Sequence, residues 1–93
     1  MICYQSQYYA WITARGVGSN DVVASSPDSY VSYLNTVSTL IGKDISPSVL
    51  STDRQIDEIA QHIVGMRAAK TITNYKLAMK QYVAMVRAGY HLK

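Results

Sequence analysis

Phenylalanine is absent from this chain, proline occurs twice and cysteine once. The lone thiol, Cys3, cannot form an internal disulfide, so nothing indicates an oxidising compartment. No His or acid lies near it in sequence to activate it, and it reads as an ordinary thiol. No run of about eighteen apolar residues is present to span a membrane. The opening Met-Ile-Cys-Tyr-Gln-Ser-Gln lacks the basic and then apolar order of a signal peptide. A cytoplasmic protein without a membrane span is the expectation. Acids are missing too: from Met66 to Lys93 there are six Lys or Arg and no Asp or Glu.

What is present describes a folded domain. Ninety-three residues suffice for one modest core, so residues 1–93 are expected to form a single helical domain. A 48% apolar and 16% charged composition is that of a globular chain, not a disordered one. Eight Tyr and one Trp supply all the aromatic surface, and Tyr suits half-buried positions and contact surfaces. The net charge of +3 is unevenly spread. Residues 1–53 carry two basic and four acidic groups, and residues 54–93 carry seven basic and two acidic ones. Such polarity fits a chain that turns one end toward a polyanion, although +3 supports only a handful of phosphate contacts.

Periodicity predicts four helices, at residues 5–15, 27–41, 53–64 and 71–88, and an all-α class. In the first, Tyr4, Tyr8, Trp11 and Ile12 fall at helical spacing, and Gly16 is placed to stop it. Gly16 to Ser25 reads as a loop. No Gly-Lys-Ser/Thr follows Gly16 and Gly18 and no strand precedes them, so they make no phosphate-binding loop. The second helix opens with Ser26 as N-cap, Pro27 in the first turn and Asp28 at the positive dipole end. Its stripe is Tyr30, Val31, Leu34, Val37 and Ile41, and Gly42 ends it. Ser46-Pro47 marks one extra turn of helix that carries Val49 and Leu50 inward. Thr52 and Gln55 have capping-box spacing at the start of the third helix. Its stripe is Ile56, Ile59, Ala60, Ile63 and Val64, with Gly65 as the stop. These elements form a four-helix bundle.

Side chains for catalysis are few. His62 lies on the outer side of the third helix and His91 in the tail. Asp57 and Glu58, being adjacent, point in different directions on a helix and make no carboxylate pair. No His, Cys or acid spacing supplies the three or four ligands of a metal site. A non-enzyme without metal, cofactor or small-molecule substrate is expected.

The last helix carries the functional content. Ile72, Tyr75, Met79, Tyr82, Val83 and Val86 make a core stripe, and Thr73, Lys76, Lys80 and Arg87 make a polar, cationic stripe beside it. Lys76 and Lys80 are one turn apart, Arg87 follows two turns later, and Lys70 sits at the start. A helix lying across a groove of duplex DNA uses this layout. Its cations neutralise phosphates, and Thr73, Asn74 or Gln81 supply hydrogen bonds. The backbone at the helix N-terminus also favours phosphate. The alternative is a solvated face whose acids lie elsewhere in the fold.

The segments Tyr-Tyr-Ala-Trp-Ile (Tyr8 to Ile12), Ser-Pro-Asp-Ser-Tyr-Val-Ser-Tyr-Leu-Asn (Ser26 to Asn35) and Lys-Thr-Ile-Thr-Asn-Tyr (Lys70 to Tyr75) occur in a familiar order. The chain resembles the SAM-like core-binding domain of phage integrases and other tyrosine recombinases. It is also similar to the related N-terminal domains of some restriction endonucleases. Ser26 and Tyr30 match that pattern's first core helix loosely; Lys70, Thr71, Ile72, Asn74 and Tyr75 match its last helix closely. The resemblance implies a compact SAM-like bundle that holds duplex DNA while a separate domain does the chemistry, and it points to Lys70, Thr73, Asn74, Lys76 and Lys80. The chain departs from the pattern in lacking the recombinase Arg, His and Tyr set. Its second helix also offers no basic residue on its exposed face, where Ser29, Ser32, Asn35, Thr36 and Thr39 are neutral.

Two readings follow. The first is a non-catalytic DNA-binding accessory module, free-standing or part of a recombinase or restriction system, with Lys70, Thr73, Asn74, Lys76, Lys80 and Arg87 as its contacts. The second is a small phage or mobile-element protein that binds a protein partner, such as an inhibitor of a bacterial restriction or CRISPR nuclease complex. The neutral second helix and abundant Tyr suit protein contact; the acid-free last third suits nucleic acid.

Overall fold

A computed structural model of the chain describes residues 1–15 and 27–92. These form four helices, α1 (Gln5–Arg15), α2 (Pro27–Ile41), α3 (Asp53–Ile63) and α4 (Ala69–Arg87), and a closing 3-10 turn, Tyr90–Leu92. The class is all-α, as the periodicity predicts. Gly16, Gly18 and Ser26, with the loop and cap expected there, lie outside the described residues. Among the described residues no helix is long and apolar enough to cross a membrane.

Helix α4 packs on each of the other three helices and on the 3-10 turn, with α2 giving it the broadest contact. This central place widens its buried arc. Ile72, Tyr75, Met79, Tyr82 and Val83 are buried as expected, and Ala78 and Met85 join them. Val86 is half-buried at the edge. Helix α4 begins two residues before the predicted Thr71, because Ala69 and Lys70 favour helix and extend it backward. Its N-cap is Ala68, extended at φ −64° and ψ 150°, with no side-chain cap bond. Gly89, at φ 71°, closes the other end.

Helix α1 has eleven residues and no acid in its first turn, so it is too short to persist alone. Packing holds it: Tyr8 and Ile12 are fully buried and Trp11 nearly so. Burial of such a side chain contributes about 1.5–3 kcal/mol, against tenths for differences in helix propensity. Tyr4 departs from its expected place in the stripe. It precedes the helix in a left-handed conformation (φ 61°), accepts the first helical bond from the Tyr8 N–H, and is 40% exposed.

The tyrosines are core residues more than contact residues. Tyr8, Tyr30, Tyr75 and Tyr82 are buried. The Tyr8 hydroxyl donates to the Ala78 carbonyl at 2.8 Å, and the Tyr82 hydroxyl to the Cys3 carbonyl at 2.8 Å. The Tyr8 and Tyr82 rings lie 5.6 Å apart, and Tyr33 bridges Tyr30 and Tyr75 at 6.2 and 5.7 Å. Burial pushes both the Tyr8 and Tyr82 phenols well above their ordinary range; nearby Tyr30 and Tyr82 add to the shift at Tyr8, and Cys3 and Tyr4 to that at Tyr82.

Tyr30, Leu34 and Val37 of α2 are buried, with Val31 and Ile41 at the margins, and Gly42 ends the helix at φ 70°. Ser38, unforeseen in the core, donates from its hydroxyl to the Lys43 carbonyl at 2.7 Å. The following segment pairs with the N-terminus: Cys3 N–H donates to Ile45 O at 2.7 Å and Ile45 N–H to Met1 O at 2.9 Å. This buries Ile2 and Ile45. The expected extra turn of helix is a single hydrogen-bonded turn, Leu50 N–H to Ser46 O at 2.8 Å. It buries Leu50 fully and Val49 in part.

The capping box of α3 is formed by both bonds: Gln55 N–H to Thr52 Oγ1, and Thr52 N–H to Gln55 Oε1, each at 3.2 Å. Ile56, Ile59 and Ile63 are buried, but Val64 is 60% exposed. The helix ends one residue earlier than expected, and Val64 follows as its C-cap, clear of the core. Gly65 is not the left-handed stop its type suggests; positive φ occurs among described glycines only at Gly42 and Gly89. His91, expected in a tail, is instead buried in the 3-10 turn, with its ring edge-on to Tyr4 at 5.1 Å.

Candidate nucleic-acid interface

At about 100° per residue, Thr73, Lys76, Lys80 and Arg87 fall within one narrow sector of α4, opposite the arc that carries Ala78 and Met85. Thr73, Lys80 and Arg87 are exposed there, and Lys76 is half-buried. Lys70, also exposed, lies about a sixth of a turn of the helix surface beyond Thr73. From Lys70 to Arg87 the row runs about 25 Å along the helix axis.

Among the described residues, one acid reaches ion-pair distance of this face. Asp57 of α3 places Oδ1 3.9 Å from the Lys76 Nζ. Lys70, Lys80 and Arg87 have no carboxylate at ion-pair distance among the described residues. The acid-free face inferred from α4 alone is therefore partly neutralised at one position and open at three. Asp57 and Glu58 do diverge, as expected of neighbours on a helix. Glu58 turns the other way, with His62, toward an open cleft of about 350 Å³ also lined by Ile41, Lys43 and Val49.

The hydrogen-bonding residues are less available than their spacing suggests. Thr73 donates its hydroxyl to the Ala69 carbonyl at 3.1 Å, leaving its oxygen only as an acceptor. Gln81 Oε1 accepts from the Trp11 indole N–H at 3.2 Å, so this side chain braces α1 on α4. Asn74 is half-buried on that same side, turned about 100° from Thr73, and is not brought into the cationic sector. On α2 the Thr36 and Thr39 hydroxyls bond to Ser32 O and Asn35 O of their own helix, both at 3.1 Å. That helix adds no cation.

One cation was not assigned from the sequence. Arg67 is exposed in the turn before α4, three residues ahead of Lys70. Its place in the acid-free stretch was the available signal, but an arginine outside the helical stripe carries no periodicity. Among the described residues no three His, Cys, Asp or Glu cluster to hold a metal ion. Comparison with family models, with curated proteins and with solved structures returned no match to this chain.

Proposed function

We propose that this protein is a non-catalytic module that binds duplex DNA, with the outward side of α4 against the phosphates. The observation that carries this reading is the row of exposed cations Lys70, Lys80 and Arg87 on one helix, none of them with a carboxylate at ion-pair distance among the described residues. A helix of this length crosses a groove with cations reaching both walls, and contacts of this kind position a protein on DNA without reading sequence. The resemblance of Lys70 to Tyr75 to the last helix of recombinase core-binding domains supports the same reading. Within it, the module serves a catalytic domain of a recombinase or restriction system. Three or four phosphates neutralised predict a log–log salt slope of about −3.

The test is binding of the purified chain to a labelled mixed-sequence duplex, titrated from low to physiological salt. Weak binding that falls with that slope, and is lost in Lys80→Ala/Arg87→Ala, supports the module. No binding at low salt removes it. The outward side of α2, which carries no cation, has exposed Asp28 on the same face as Ser32 and Thr39 and satisfies its threonine hydroxyls internally, favours a second reading, contact with a protein of a bacterial defence complex. Lys80→Ala/Arg87→Ala would leave that contact intact while surface changes at Ser32 and Thr39 weaken it.

A further inference from the structure

The turn that joins α3 to α4, residues 64–68, and the first two residues of α4 are exposed at every position. Two of the turn's side chains are large and apolar: Val64 is 60% exposed and Met66 47%. Neither belongs to the buried core cluster. Arg67 Nη1 donates to the Met66 carbonyl at 2.8 Å, which keeps the guanidinium beside the methionine. Lys70 stands just beyond. The backbone here is held, since Val64 keeps helical dihedrals (φ −58°, ψ −30°) and the Met66 N–H donates to Ile63 O at 2.9 Å. The nearest preceding acid in the sequence, Glu58, lines the cleft with His62.

We propose that this corner is an apolar wedge, with Val64 and Met66 entering the minor groove of the duplex while Arg67 and Lys70 meet the flanking phosphates. The inference rests on the reading of α4 as the phosphate-contacting side and goes beyond it. Phosphate neutralisation gives no role to two exposed apolar side chains. A minor groove does, because its sugar edges are apolar and a base step can be partly unstacked by an inserted Val or Met. The charge around the pair suits a polyanion, with a cation on the turn, another at the start of α4 and no acid between them. Lys70 also belongs to the α4 row, so a duplex lying along α4 passes over the corner. Methionine, unbranched and polarisable, adapts to such a step.

The experiment uses the whole chain with a duplex carrying a fluorophore pair at its ends and 2-aminopurine at its centre. Wild type is expected to kink the duplex by about 20° or more and to brighten the 2-aminopurine. Val64→Ala/Met66→Ala should keep the salt slope, abolish kink and brightening, and weaken binding about tenfold or less. Lys80→Ala should do the reverse, with a shallower slope and the kink retained at saturation. Circular dichroism checks that each variant is folded. A straight duplex under saturating wild type, or an undiminished kink with the double variant, overturns the wedge while the phosphate-contacting reading stands. Absence of any salt-sensitive binding overturns both, and leaves the corner as a surface for protein contact.

Discussion

Asp57 and Lys76 meet across the α3–α4 seam at 3.9 Å, nineteen positions apart in sequence. The pair sits where the proposed interface needs a free cation. Both side chains reach solvent, 40% exposed for Lys76 and 73% for Asp57, so the pair adds only about 0–0.5 kcal/mol to folding. Its larger effect is on the field that a phosphate meets. Asp57→Asn is therefore expected to tighten DNA binding a few-fold at low salt and to steepen the log–log salt slope by up to about 0.9, the worth of one more phosphate contact. The melting temperature should hardly move. Fluorescence anisotropy across a salt series measures both quantities, and unchanged or weaker binding would count against a phosphate at Lys76.

The same pairing ranks the cations. Lys80 and Arg87 face solvent without a carboxylate partner among the described residues, whereas Lys76 is already partly neutralised. Lys80→Ala and Arg87→Ala should each flatten the salt slope by about 0.9 and weaken binding equally on unrelated sequences. Lys76→Ala should do less. A larger loss at Lys76 than at Lys80 would place the duplex nearer α3 than the row suggests.

What was legible in the sequence was local. The isoleucines of α3 announce its buried face at spacings of three and four, and Thr52 and Gln55 announce its start, because both signals act within two turns of helix. Side-chain availability in the candidate site was not legible. Gln81 is engaged by Trp11 and Lys76 by Asp57, through contacts that exist only once the helices pack. Non-local pairing hid the bridge between Ile2 and Ile45 for the same reason. Ala78 and Met85 were missed because a helix covered by three neighbours buries a wider arc than one stripe describes. Val64 fits the stripe of α3 by spacing but, at the helical dihedrals it keeps, stands about 100° around the axis from Ile63, at the edge of the stripe and outside the core.

Tyr8 offers a test of the core with a pH signature. Its hydroxyl donates to Ala78 O in the interior, so Tyr8→Phe should cost about 1–1.5 kcal/mol near neutral pH. The folded phenol is shifted upward from its ordinary value of 10.0, chiefly by burial. A raised acid keeps its proton in the native state while the unfolded chain loses it. The stability it contributes is fully present below pH 10.0 and is lost progressively above it, toward the folded value. The gap between wild type and Tyr8→Phe in urea denaturation should therefore be constant from pH 7 to 9 and shrink by pH ~11. Common effects, such as lysine deprotonation, cancel in that difference. A gap that widens with pH would mean the phenol ionises more readily in the native state.

Two glycines of similar sequence context separate backbone from packing. Gly42 and Gly65 each follow a helix, and a Cβ built on either meets nothing within 4 Å. They differ in backbone alone. Gly42 lies at φ 70°, where an L side chain is strained, and Gly65 does not. Gly42→Ala is thus expected to destabilise by about 1 kcal/mol, with the strain of the left-handed residue unrelieved by any contact. Gly65→Ala should stabilise by about 0.4–1 kcal/mol, because the unfolded chain loses freedom that the native turn never used. Chemical denaturation of the two variants side by side reads the sign directly. The DNA-binding measurements should be untouched by Gly42→Ala, which is remote from α4 in sequence. Any change with Gly65→Ala would instead report on the exposed corner between Val64 and Met66.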